Sequence, residues 1–182
     1  MKKFLVVLAV AVSSVGFGQV IQITKQKHID ALTYSNSDLD IKQFESELLN
    51  LINAYRNEHG LSKLDLDSNL HKAALVQSEY MVSINKVTHV NSNSDFSNFS
   101  KRIIYFLEGQ KKYSVENCCT GNLYLCFIEG LSPAQQIFDL WKNSPGHNAN
   151  MLNLNINKIG VSLSRSISND YFYACFDAVS NL

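Results

Sequence analysis

Apolar residues recur at intervals of three and four through Ile41, Phe44, Leu48, Leu51, Ile52 and Tyr55. That spacing predicts one apolar face of a helix, with Ser37 or Asp38 as its N-cap and His59-Gly60 at its end. A His near the negative C-terminal end reads as a capping residue. A second helix is predicted from Asp67 or Ser68, with Leu70, Ala73, Ala74, Gln77, Tyr80, Met81 and Ile84 on one face and Asn85 as the stop; His71 in its first turn reads as solvated. The polar run Asn91 to Asp95 is loop, Phe96 to Leu107 around Arg102 is a short helix, and Gly109 to Lys112 is a turn. Tyr113 to Cys119 and Leu123 to Ile128 have strand character, separated by Thr120-Gly121-Asn122. Ser132, Pro133 and Gln135 form a capping box with Pro at the first helical position, and Ala134, Ile137, Phe138, Leu140 and Trp141 supply the apolar face behind it. Finally Ile159, Val161, Leu163 and Ile167 alternate with Ser162, Ser164 and Ser166; Ser168-Asn169-Asp170 turns the chain and Tyr171 to Val179 returns, a β-hairpin packed on one side. Helices first and strands late predict an α+β fold, with helices covering a small antiparallel sheet.

The first 18 residues follow a different pattern. Lys2 and Lys3 precede an apolar run from Phe4 to Val12, and Gly16 and Gly18 are small residues at the positions a signal peptidase requires. Residues 1–18 therefore read as a secretory signal peptide cleaved before Gln19; the apolar run is short of the ~20 residues that a membrane span needs. Residues 19–38 read as an extended leader and 39–182 as one domain. No later stretch is apolar enough to span, so the mature protein is expected to be secreted or periplasmic. Lys+Arg and Asp+Glu both number 16, and no basic excess points to nucleic acid. Export also bears on Cys118, Cys119, Cys126 and Cys175. Without a C-x-x-C or a tight Cys/His cluster, disulfides are the expectation. A vicinal 118–119 bond needs a strained ring, so one of that pair is expected to join Cys126 and the other Cys175.

Three polar residues carry candidate chemistry. His89 ends a helix-to-loop passage, Glu116 lies in a strand-like segment, and His147 follows Ser144-Pro145-Gly146. Pro presets φ and Gly tolerates positive φ, so this tripeptide reads as a tight turn that delivers His147. In the first turn of a following helix, the dipole would favour the neutral ring. Two imidazoles and a carboxylate can hold a divalent ion with one position left for water, or pass protons.

Local motifs sharpen this. Leu49-Asn50-Leu51-Ile52-Asn53-Ala54-Tyr55-Arg56 with Gly60-Leu61 and Leu64 looks like the opening helix of the CAP superfamily, which covers the cysteine-rich secretory proteins, the antigen 5 group and the pathogenesis-related proteins of class one. Asp67 with Leu70, Ala73-Ala74, Ser78 and Met81 resembles its second helix, and Glu116-Asn117 the E-N of its G-E-N-[IL] motif. Trp141 to Leu152 is close to the bacterial W-x-x-S-P-G-H-x-x-N-[ML]-L, and Ile159-Gly160-Val161 fits I-G-V-G. The resemblance spans roughly residues 41 to 179. It implies an α-β-α sandwich with a cleft of two histidines and two acids, in which His89, Glu116 and His147 take three of the places. Val115 and Cys118 depart from the residues that usually flank Glu-Asn, and for the second acid the chain offers only Asp95.

The resemblance alone does not fix the chemistry; the paired histidines, without any complete nucleophile arrangement, point to a secreted binding module. Its cleft would hold zinc or another divalent cation through His89, His147, Glu116 and Asp95, and engage an extracellular ligand: a lipid, a protein or a cell-envelope component. The alternatives are a peptidase-like hydrolase with Glu116 or a histidine as general base, a lipid or sterol binder as proposed for relatives, or a purely structural His147–Glu116 tie. The sequence contains no G-x-S-x-G, H-E-x-x-H or P-loop motif.

Overall fold

The computed structural model describes residues 41–180; the expected signal peptide, the expected leader and the expected cap at Ser37 or Asp38 lie outside the described residues. Among the described residues, six α-helices and four strands follow in the order α1 (Ile41–Glu58), β1 (Asp65–Leu66), α2 (Ser68–Ile84), α3 (Phe99–Phe106), β2 (Ser114–Asn122), α4 (Leu123–Glu129), α5 (Pro133–Lys142), α6 (Pro145–Met151), β3 (Lys158–Arg165) and β4 (Tyr171–Val179). A 3₁₀ turn, Ser94–Phe96, precedes α3.

The sheet runs β1-β3-β4-β2, with β3 between β1 (parallel) and β4 (antiparallel) and β2 antiparallel to β4 at the edge. Alternation along the strands sorts side chains to two faces. Val115, Val161, Leu163, Phe172, Ala174 and Phe176 join Leu48, Ile52, Ile137 and Trp141 of α1 and α5 in the main core. The opposite face meets α2 and α3: Cys118, Tyr173 and Cys175 pack with Ala74 and Met81, and Val179 with Leu70, Ala73 and Ile103. Helices thus cover both faces, the expected α-β-α sandwich. The hairpin is accordingly buried on both sides, not one; even Ser162 is fully enclosed, with its hydroxyl near Ser78 of α2. Gly160 lets α2 lie directly on β3, since a Cβ there would stand 2.0 Å from the Leu70 carbonyl carbon.

The caps follow the sequence. The Asp67 carboxylate accepts from the Asn69 and Leu70 amides, Asn85 ends α2 at φ 50°, and Ser132 accepts from the Gln135 amide. The Gln135 side chain turns forward to donate to Asp139, so the reciprocal half of the capping box does not form. His59 caps α1 as expected, its Nδ1 being 2.9 Å from the Tyr55 carbonyl. His71 is not solvated: its Nδ1 lies 2.7 Å from Glu45 and 2.9 Å from the Val161 carbonyl.

One element differs in kind. Leu123 to Ile128 is helix, not strand. Asn122 caps it by accepting from the Leu125 amide, and Gly130 ends it at φ 66°. An apolar run this short carries no decisive period, and its two caps decide the conformation.

Candidate functional site

β2 is an edge strand, and the site is built along it. Glu116 points to the α2/α3 face; Asn117, one residue on, points to the other. The Glu116 side chain is buried and both oxygens are engaged: His89 Nδ1 lies 2.7 Å from Oε1, and Arg102 from α3 makes an ion pair with Oε2. Arg102 has no exposed surface. Its guanidinium also donates to the carbonyls of His89 (3.4 Å) and Phe96 (3.0 Å), so one cation ties both ends of the 89–96 loop to the strand carboxylate. Gln77 of α2 donates to the Thr88 carbonyl and fixes the approach to His89.

His147 arrives from the other side. Pro145 is already the first residue of α6, so Ser-Pro-Gly is the helix start and not a separate turn; Gly146 is helical with no positive φ. The Asn117 side-chain amide donates to the His147 carbonyl (3.0 Å). Asn150, one turn later, donates to the Glu116 carbonyl (3.1 Å) and to Asn117 Oδ1 (2.8 Å). These bonds dock α6 on the strand edge beside Glu116, a role for Asn150 that its place in the helix motif alone does not reveal.

The two imidazoles differ in charge. Hydrogen bonding to Cys118 and then to Glu116 raises His89 to about 10, so it carries its proton at neutral pH. Burial lowers His147, helped by the nearby positive charge of His89. Its neutral state is the one expected from the sequence, but burial is the leading cause. The thiol of Cys118 is lowered by its hydrogen bond with Cys175 and by His89.

The structure therefore brings His89 and Glu116 into contact and sets His147 close enough to sense His89. Asp95 is exposed in the 3₁₀ turn, its amide donating to Asn93 Oδ1. Among the described residues two clusters could offer three donor atoms within 4.8 Å: His89, Glu116 and Cys118, and Glu116, Cys175 and Asp177; neither includes His147 or Asp95. Arg102, Cys118, Cys175 and Asp177 had no place in the site read from sequence. Only Arg102 carried a signal, as one of two adjacent cations, with Lys101, in a short helix that is otherwise largely apolar.

The four cysteines are free thiols, not the expected disulfides. Cys118 and Cys175 are directly opposite in the β2–β4 ladder with sulfurs 3.6 Å apart. Cys119 alternates to the other face and packs against the main core, where Cys126 of α4 is buried.

Comparison with known proteins agrees with this architecture. Uncharacterized protein YkwD of Bacillus subtilis (strain 168) is 27% identical over 134 residues, which cover 74% of this chain and 48% of that protein. The chain thus spans about half the length of that curated relative. An outer surface protein from Borrelia burgdorferi superposes with a TM-score of 0.62 at 19% identity, covering 79% of this chain and 97% of that one. An extracellular protein containing a SCP domain from Bacillus anthracis superposes at 0.57 and 19% identity, covering 78% and 41%. The profile of the cysteine-rich secretory protein (CAP) family matches residues 49–177. With that match over most of its length, the chain belongs to the CAP family.

Proposed function

We propose that this is an exported binding domain whose cleft over the β2 edge takes a divalent cation between His89 and His147 and presents it, with the surrounding surface, to an extracellular ligand. The observation that carries this reading is the His89–Glu116–Arg102 chain. A buried carboxylate, itself fixed by a buried guanidinium, orients an imidazole whose side chain is 51% exposed. A carboxylate orienting a histidine is the arrangement that supports a metal ligand from behind. His147 contributes a neutral ring, and Asp95 lies on the loop that Arg102 ties down. Imidazole donors suit zinc. Export is supported by the signal-like residues 1–18 and by relatives described as outer-surface or extracellular; among the described residues no helix is long and apolar enough to cross a membrane.

The fit has a condition. His89 holds a proton at neutral pH, so a metal must displace it, and affinity should rise as pH rises towards 10. The same proton weakens the hydrolase reading, because an imidazolium is no base and both oxygens of Glu116 are engaged. Calorimetric titration of zinc into the mature protein tests the proposal. Saturable heat with proton release, lost in His147→Ala, supports it; no heat, or the same heat in that variant, rejects it.

A further inference from the structure

Asp177 faces Glu116 across the β2–β4 ladder, and two residues along each strand Cys175 faces Cys118. By alternation all four side chains share the α2/α3 face, and all four are buried, Cys175 and Asp177 completely. Asp177 is the anomaly. Neither of its oxygens receives a hydrogen bond from an N–H or O–H donor, and its polar neighbour is the Glu116 carboxylate, with which it can only share a proton. A buried carboxylate without a donor or counter-ion is strongly unfavourable, so such groups are normally paired or bound to a metal. Arg102 acts on Asp177 only through its charge, its hydrogen bonds going to Glu116 and two backbone carbonyls, and the residue beside Asp177 on β3 is Gly160, which has no side chain to donate. Burial and the neighbouring Glu116 push the Asp177 carboxyl well up, so without a cation it keeps its proton.

The donor spacing identifies the class of cation that would suit this pocket. Cys118 and Cys175 Sγ are 3.6 Å apart, and Cys175 Sγ is 3.5 Å from Glu116 Oε2. A tetrahedral zinc, with bonds of about 2.3 Å to sulfur and about 2.0 Å to oxygen, separates two sulfurs by roughly 3.8 Å and sulfur from oxygen by roughly 3.5 Å. Donor atoms of Glu116, Cys175 and Asp177 already lie within 4.8 Å of one another, while Cys118 shares such a group with Glu116 and His89, so one ion would have to draw the Cys118 thiol towards Asp177. We propose that Cys118, Cys175, Glu116 and Asp177 form an interior site for one divalent transition ion of the zinc class, behind the cleft and sharing only Glu116 with it.

On binding, both thiols and the Asp177 carboxyl release their protons to solvent, giving two sulfur and two oxygen ligands with no open position, the pattern of a structural ion. The ion and Arg102 together offset three of the four ligand charges. Glu116 Oε1 stays on His89, whose proton offsets the fourth. A Cys118–Cys175 disulfide is the competing arrangement. Directly opposite antiparallel residues have Cα atoms about 4.5–5.5 Å apart, within disulfide range, but the bond would leave Asp177 without a cation.

The test uses the mature chain, purified without chelator or reductant. Elemental analysis should find at least one zinc per chain that remains in His147→Ala, which separates this site from the cleft cation. Exchange for cobalt(II) should give a thiolate-to-cobalt charge-transfer absorption. Asp177→Asn should weaken cobalt binding by more than the roughly 10–100-fold typical of losing an outer-shell partner, and Cys175→Ser should abolish the band. Should those variants fail to fold, the wild-type protein still decides. A Cys118–Cys175 linked peptide in an unreduced digest overturns the proposal, as do free thiols without metal or a cobalt band, or a band that survives Cys175→Ser and vanishes in His147→Ala. Loss of zinc heat at the cleft with the thiolate band intact would reject the cleft reading alone.

Discussion

Glu116 has two partners of very different kinds. Arg102 is wholly buried, so the pair exists only because each charge offsets the desolvation of the other. Glu116→Gln should leave the guanidinium uncompensated and lower stability by about 3–5 kcal/mol, read from denaturant unfolding of the two proteins. His89, half in solvent, contributes less and does so with a pH signature. Its folded pKa, about 10, lies above the ordinary value of 6.5. The contribution is therefore complete below about pH 6.5 and disappears as pH rises through 10. The urea midpoint of the wild-type protein should fall over that window relative to His89→Gln. Parallel curves would mean that the imidazolium is not paired in solution.

At the scale of elements, two contacts position the site. α6 is held against β2 by the amides of Asn117 and Asn150. Asn150→Ala removes two of those bonds and leaves the Asn117 carbonyl oxygen short of a donor. Unfolding should become easier by about 1–3 kcal/mol, and zinc heat should weaken with the displaced His147; unchanged zinc binding would show that α6 needs no such tie. α2 lies on β3 across Gly160, where an added Cβ meets backbone and not a yielding side chain. Gly160→Ala should cost about 1–3 kcal/mol or more, measured by thermal melting. Much of this scale was legible. Asp67, Asn85, Ser132, Pro133 and Gly60 mark helix ends through local chemistry that needs no tertiary information. Residues 123–128 were not, because six apolar-rich residues fit a strand or a helix equally and the Asn122 cap was spent on a predicted turn.

For the whole molecule, the edge position of β2 explains how residues 27 and 31 positions apart come to one strand: α2 and its following loop bring His89 over one face, and α6 brings His147 to the open edge. The sequence named His89, Glu116 and His147 through motif positions. It offered Cys175 only as a disulfide partner for Cys118 or Cys119 and did not mark Asp177, because their place beside Glu116 is a matter of strand register, which spacing along the chain does not encode. Asp95 matched by position but is exposed on its loop. Anomalous diffraction at the zinc edge, from crystals of the mature protein grown with zinc, tests the central claim most directly. The account predicts a peak within bonding distance of ring nitrogens of both His89 and His147. Density confined to other surfaces, with the two rings carrying no metal, would contradict it.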